Sequence, residues 1–130
     1  PHNEYGWEKL YAERSVAAFG REHGFETRIA RFQNCYGPEG TWRGGREKAP
    51  AALCRKVAEA VLDGSDAVEV WGDGTAVRSF VFVDDLVEGV RTLMESDESA
   101  PANIGTREYV TVAELLDRVA EAAGRPITPR

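Results

Sequence analysis

Helical and extended stretches alternate along all 130 residues, and this alternation constrains the fold more than any other feature. Tyr5 to Gly20 has helical periodicity, with Leu10, Val16, Ala17 and Phe19 on an apolar face and Gly20 or Gly24 to end it. Thr27 to Phe32 reads as a short strand. Gln33 to Lys48 reads as a loop punctuated by Gly37-Pro38, Gly40 and Gly44-Gly45, and loops of that length are often functional. Pro50 suits the first turn of a helix reaching Leu62. Val68 to Trp71 and Arg78 to Val83 read as strands on either side of a tight Gly72-Asp73-Gly74 turn. Asp84 or Asp85 is the expected cap of a helix running to Met94. Ala102 to Gly105 is extended, and Thr111 with Glu114 forms a capping box for a helix through Ala122, stopped by Gly124 and Pro126. The last residues, Pro126 to Arg130, read as loop. The succession predicts an α/β fold, in a chain long enough to bury a real core.

Charge and composition narrow the functional classes. The net charge of -6 argues against a nucleic-acid binder, which would be basic. No apolar run is long enough to cross a membrane and no signal peptide is visible, so the expectation is a cytoplasmic protein. Cys35 and Cys54 have no metal-ligand spacing, suit a reducing compartment and read as buried structural thiols. His2 and His23 sit in polar surroundings and receive no role. The chain opens on Pro1 rather than methionine and reads as a piece of a longer one.

Four constellations carry chemistry. Tyr5 and Lys9 stand four residues apart, which on a helix puts phenol and ammonium on one face. A neighbouring cation favours the phenolate and makes tyrosine a usable base. Asn34 closes a strand reading, where ligand crevices of α/β sheets open, although a turn residue bonding its own backbone fits the same sequence. From Arg43 to Lys56, five cations (Arg43, Arg46, Lys48, Arg55, Lys56) accompany one acid, Glu47. Cations at a helix start neutralise a diphosphate, a lysine in a partly dry pocket can exchange protons, and a solvated surface loop is the alternative. Arg78, following the glycine turn, can pair with phosphate. Asp84 and Asp85 read as caps rather than a catalytic pair. No glycine-rich phosphate loop lies between a strand and a helix, so these residues do not cradle a dinucleotide pyrophosphate in the usual way.

In order, Tyr5-x-x-x-Lys9, Arg31-Phe32-x-Asn34-x-Tyr36-Gly37-Pro38, Gly72-Asp73-Gly74-x-x-x-Arg78-Ser79-Phe80-Val81, Val83-Asp84-Asp85 and Asn103-Ile104-Gly105 resemble the extended short-chain dehydrogenase/reductase family. More narrowly, they resemble its nucleotide-sugar epimerases and dehydratases. The stretch Gly40 to Ala52, with Cys54-Arg55-Lys56, looks most like the GDP-mannose 3,5-epimerase subfamily.

The resemblance implies the carboxyl-terminal part of a Rossmann-type fold without the amino-terminal dinucleotide-binding half. Residues 1–33 would end the NAD-binding domain, and residues 34–130 would form most of the nucleotide-sugar region. Tyr5 would take the proton of the sugar C4 hydroxyl while NAD accepts hydride, and Lys9 would hold the cofactor ribose and depress the Tyr5 pKa. Lys48 would be one member of the acid/base pair that inverts C3 and C5. Its usual cysteine partner lies upstream of the tyrosine in the family, and neither Cys35 nor Cys54 stands at that position.

Glu47, Lys48 and Ala49 would line the sugar pocket, while Asn34, Lys56 and the run Ala76, Val77, Arg78 and Ser79 would hold the nucleotide diphosphate. Ala76 is apolar where a hydrogen-bonding side chain is expected. The implied partners are a GDP-mannose-type substrate and a second copy of the chain, through a dimer that includes the tyrosine helix. The 130 residues alone are expected to be inactive. Another nucleotide-sugar epimerase, dehydratase or decarboxylase, or an inactive binding module, remains the alternative.

Overall fold

The computed structural model describes residues 1–130. In chain order the elements are α1 (Glu4–His23), β1 (Ala30–Phe32), β2 (Asn34–Tyr36), α2 (Ala49–Asp63), β3 (Ala67–Val68), β4 (Val77–Arg78), β5 (Phe80–Phe82), α3 (Val83–Glu95), β6 (Ala102–Ile104), β7 (Val110–Thr111), α4 (Val112–Ala122) and β8 (Thr128–Pro129). The class is α/β, as expected. Three strand pairs are parallel (β1 with β6, β2 with β5, β3 with β8), and β4 with β7 is antiparallel.

The larger core lies between α2 and α4. On α2, Leu53, Val57 and Ala60 recur at helical spacing and are buried against Leu116 and Ala120 of α4, Val68 of β3 and Ile127. Leu116 is 1% exposed. A smaller core sits under α3, where Val81, Leu86 and Leu93 are buried. There α3 crosses closely over β6, since a Cβ at Gly89 would stand 2.6 Å from Ile104 Cγ2.

Strands β1 and β2 are one extended run that changes partner at Gln33. The Gln33 side chain fastens that junction: Nε2 donates to Thr106 O at 3.1 Å, and Oε1 accepts from Thr106 N at 2.8 Å. The amide lies across Gly105, where any Cβ would collide with it. This accounts for glycine in Asn103-Ile104-Gly105 by sterics.

Several elements depart from the sequence reading. The stretch from Gln33 that reads as a loop contains β2, which pairs with β5. Arg78 to Val83 is not one strand but β4 and β5, parted at Ser79. Neither Asp84 nor Asp85 caps α3. The strand β5 runs straight into the helix, so Phe82 holds the cap position without a side-chain bond and both aspartates fall in the first turn. There they still favour the positive end of the helix dipole. Residues 126–130 are not plain loop, because Ile127 enters the core and β8 pairs with β3. Cys54 is exposed and Cys35 half-buried, so neither is a fully buried thiol. Both helix ends at Gly24 and Gly64 adopt the left-handed conformation that glycine tolerates best. The Thr111–Glu114 capping box forms as expected.

Candidate functional site

Helix α1 starts where the Asn3 side chain accepts a hydrogen bond from Gly6 N at 2.9 Å. One turn in, Lys9 Nζ lies 5.2 Å from the centroid of the Tyr5 ring, so the two side chains share a face as their spacing predicts. Tyr5 is 68% exposed. Lys9 Nζ also stands 3.4 Å from Glu8 Oε1. Both Tyr5 and Lys9 border a cleft of about 570 Å³ between α1 and the segment Arg28 to Phe32.

That segment is tied to α1 by a two-pronged ion pair. Arg31 Nε donates to Glu13 Oε1 at 2.9 Å, and Arg31 Nη2 to Glu13 Oε2 at 2.7 Å. This hydrogen bond holds the Glu13 carboxyl below its ordinary pKa. Arg31, part of the sequence constellation around Asn34, is therefore occupied in docking the tyrosine helix. Asn34 lies on β2 rather than in a turn, and its Nδ2 donates to Ser79 O at 3.4 Å.

The cationic segment is less bare than its sequence suggests. Arg55 donates to Glu59 Oε2 at 2.8 Å and to Trp42 O at 3.2 Å, and Arg43 lies over the Trp42 ring while donating to Glu59 Oε1 at 3.3 Å. Lys56 Nζ donates to Glu69 O at 2.7 Å and stands 6.0 Å from the centroid of the Trp71 ring. Arg46 and Lys48 form no ion pair. These two unpaired cations both face a cleft of about 480 Å³, together with Cys35, Tyr36, Trp42, Cys54 and Arg55.

Glu47 and Ala49 do not face that cleft. With Lys56, Arg55 and Trp71 they line a second cavity of about 260 Å³. Lys48 is the extended cap residue of α2, and consecutive residues in extended backbone point to opposite sides. The single sugar pocket expected for Glu47, Lys48 and Ala49 is therefore split in two, with Arg55 bordering both.

The Glu47 side chain is only 11% exposed, with Oε1 at 3.5 Å from Arg55 Nη2. Its Oε2 is buried without a hydrogen-bond partner. The backbone amide of Glu47 first, then those of Gly45 and Arg46 and the Arg55 charge, hold the carboxyl below its ordinary pKa against the opposing effect of desolvation. None of those amides reaches Oε2 in hydrogen-bonding geometry.

Ala76, Val77, Arg78 and Ser79 border neither cavity. Arg78 is exposed on β4, with Nη1 donating to Val77 O at 2.8 Å. Arg55 and Trp71 are the residues that sequence reasoning left without a site role. The charge cluster points to Arg55, and Trp71 opens the glycine-turn stretch that carries Arg78.

A tyrosine and a lysine thus share one helix face, and a cationic cleft opens at the start of another helix of an α/β fold. The chain belongs to the NAD dependent epimerase/dehydratase family, which matches residues 1–105. Over 119 residues, 92% of the chain, it is 49% identical to GDP-mannose 3,5-epimerase of Arabidopsis thaliana, of which it covers 30%. It is 39% identical to UDP-glucuronic acid decarboxylase 6 of the same plant, over 87% of this chain and 31% of that one. The crystal structure of UDP-glucose 4-epimerase from Thermotoga maritima with UDP-glucose superposes with a TM-score of 0.79 at 33% identity, covering 97% of this chain and 40% of that one. The chain thus spans about a third of the length of these relatives, and its fold corresponds to part of theirs. No helix is long and apolar enough to cross a membrane.

Proposed function

We propose that these residues serve the NAD-dependent epimerisation of a GDP-mannose-type nucleotide sugar, through transient oxidation at C4 and proton exchange at C3 and C5. The observation that carries the reading is the shared face of Tyr5 and Lys9 in a chain 49% identical to a GDP-mannose 3,5-epimerase.

The chemistry of the residues fits the ribose end of a nicotinamide cofactor: a phenol and an ammonium stand side by side over an open cleft. Bound NAD would take hydride from the sugar C4 and later return it. Tyr5 accepts the C4 hydroxyl proton as the ketone forms and gives it back when the alcohol is restored. Lys9 holds the ribose hydroxyls beside it. The C4 ketone acidifies the hydrogens at C3 and C5. Lys48, unpaired and facing its cleft, exchanges one of those protons, while a second group on the opposite face completes each inversion.

In this reading residues 1–33 belong to the cofactor side and residues 34–130 to the nucleotide-sugar side. Asn34, Glu47, Ala49, Lys56 and the run Ala76 to Ser79 make the remaining substrate contacts. A homodimer through α1 is supported by the exposed side chains of Trp7, Tyr11 and Phe19 on that helix. The proposed compartment is the cytoplasm.

The test is a chimaera in which these residues replace the matching segment of the Arabidopsis epimerase. Incubated with GDP-mannose in heavy water, it should yield epimers carrying deuterium at C3 or C5 and leave UDP-glucuronate unchanged. Decarboxylation of UDP-glucuronate without exchange in GDP-mannose would move the reading to the decarboxylases. A chimaera that binds NAD but turns over neither would favour the binding module.

A further inference from the structure

Arg55 lies two turns into α2, and every nitrogen of its guanidinium is engaged, each with a different partner. Nε donates to Trp42 O at 3.2 Å, Nη1 donates to Glu59 Oε2 at 2.8 Å, and Nη2 stands 3.5 Å from Glu47 Oε1. Two of these partners bracket the segment that leads into the helix: Trp42 at its start and Glu47 directly before Lys48. Between them Gly44 and Gly45 have φ of 90° and 80°, the left-handed backbone at which the chain turns back. Arg43 closes the network, with Nη2 at 3.3 Å from the other oxygen of Glu59 and its guanidinium 4.3 Å from the centroid of the Trp42 ring. Glu47 is turned inwards, whereas its neighbours Arg46 and Lys48 both face the cleft of about 480 Å³. Alternate side chains of extended backbone point to opposite sides, so a contact that holds Glu47 in also holds Lys48 out.

We propose that Arg55 is a positioning residue for Lys48: by holding Trp42 and Glu47 from α2, it fixes the direction in which Lys48 enters its cleft. The inference rests on the reading of Lys48 as proton exchanger given above. Lys48 forms no ion pair, so its aim comes from the backbone that carries it. The helix fixes that backbone on one side, through Ala52 N donating to Lys48 O at 3.0 Å. Arg55 fixes it on the other. A guanidinium suits the task because its planar fork reaches several acceptors at once, whereas an ammonium is a single point charge. Misplacing a reacting group by about 1 Å can cost on the order of 100-fold in rate, so a modest loosening of the segment is enough to be read.

The experiment compares Arg55→Lys with the unaltered segment in the Arabidopsis chimaera and reads two steps separately. Deuterium entry at C3 or C5 of GDP-mannose reports Lys48. Formation of bound reduced cofactor, followed by its near-ultraviolet absorbance, reports hydride transfer from C4, which Lys48 does not serve. Arg55→Lys should lower exchange by at least about tenfold while hydride transfer stays within about threefold of the original. In the chain alone, trypsin should cut after Arg46 at least about tenfold faster in the variant, because the segment is no longer held. Unchanged exchange overturns the proposal, and so does unchanged cleavage after Arg46. Exchange and hydride transfer that fall in equal proportion, with circular dichroism unaltered, make Arg55 a merely structural residue and overturn it too. No exchange in the unaltered chimaera removes the reading of Lys48 and this inference with it, whereas exchange indifferent to Arg55 removes this inference alone. Where Arg55→Lys does not fold, Glu59→Gln takes its place. Glu59 is half-exposed and pairs with Arg55 from the same helix, so its loss should lower exchange about threefold relative to hydride transfer. An unchanged ratio in that variant overturns the proposal.

Discussion

Replacing Gly105 by alanine tests the junction at Gln33 directly. The backbone at Gly105 is not in the left-handed region, so alanine meets no conformational penalty there. The added Cβ instead runs into Cδ, Oε1 and Cγ of Gln33. Gln33 must then leave Thr106, losing the bonds at 3.1 Å and 2.8 Å. Two such bonds contribute about 0.5–1.5 kcal/mol each. Displacing a packed side chain and its backbone costs about 1–3 kcal/mol more. Against these, alanine stiffens the unfolded chain and returns about 0.4–1 kcal/mol. The net loss is about 1–6 kcal/mol, centred near 3, or a fall in Tm of roughly 10 °C for a domain of this size. Urea unfolding followed by circular dichroism measures it. The decisive comparison is a double-mutant cycle with Gln33→Ala, which removes every colliding atom. Gly105→Ala should cost much less in that background than in the native one. A Gly105→Ala chain within about 0.5 kcal/mol of the original, or equal costs in both backgrounds, refutes the clasp.

Other changes test separate links. In the chimaera, Tyr5→Phe removes the proton acceptor and should slow turnover by at least ~100-fold, whereas near-normal rates would clear it of that duty. Lys48→Ala should leave hydride transfer between C4 and NAD intact while deuterium entry at C3 or C5 disappears, and undiminished uptake would rule the lysine out. Thr111→Ala breaks the capping box of α4 and should cost about 0.5–2 kcal/mol by urea unfolding; an unchanged midpoint would leave the box without energetic weight. Glu13, Glu47, Glu88 and Glu114 all have carboxyl pKa values held below the ordinary 4.5 in the folded chain. Their contribution is present above pH 4.5 and is lost as pH falls through the lowered values, so Tm should decline on acidification below about pH 4.5. A Tm that rises there would reverse the sign of the argument.

What was legible in the sequence depended on how local its cause was. The Tyr5–Lys9 face, the Thr111–Glu114 box and the Gly72-Asp73-Gly74 turn are fixed by neighbours a few residues apart, and each appears as read. Strand β2 was missed because Asn34, Cys35 and Tyr36 lie among turn-forming residues and become a strand only when β5 supplies their hydrogen bonds. The pairing of β8 with β3 escaped for the same reason. Asp84 and Asp85 looked like caps because sequence alone does not reveal that β5 leads into α3 without an intervening loop. The division between Glu47 and Lys48 was hidden at a finer level. Their residue types both suit a ligand, but which cavity each enters is decided by the extended backbone at the start of α2.

The run β1–β2 connects the cleft beside Tyr5 with the cleft that Lys48 faces. At one end Arg31 grips Glu13 and so fixes α1, which has Gly20 as its only buried residue and little other anchorage. At the other end Cys35 and Tyr36 form a wall of the cleft that Lys48 faces. Gln33 stands between them, bonded to Thr106. The placement of Tyr5 relative to Lys48 therefore depends on a stretch of backbone whose midpoint is held by one amide side chain, as well as on the core between α2 and α4 that seats the helix Lys48 caps. A disturbance at Gln33 shifts the relation between Tyr5 and Lys48 while leaving that core packed. It follows that Gly105, which touches neither cleft, constrains the geometry of both through the space it leaves for Gln33.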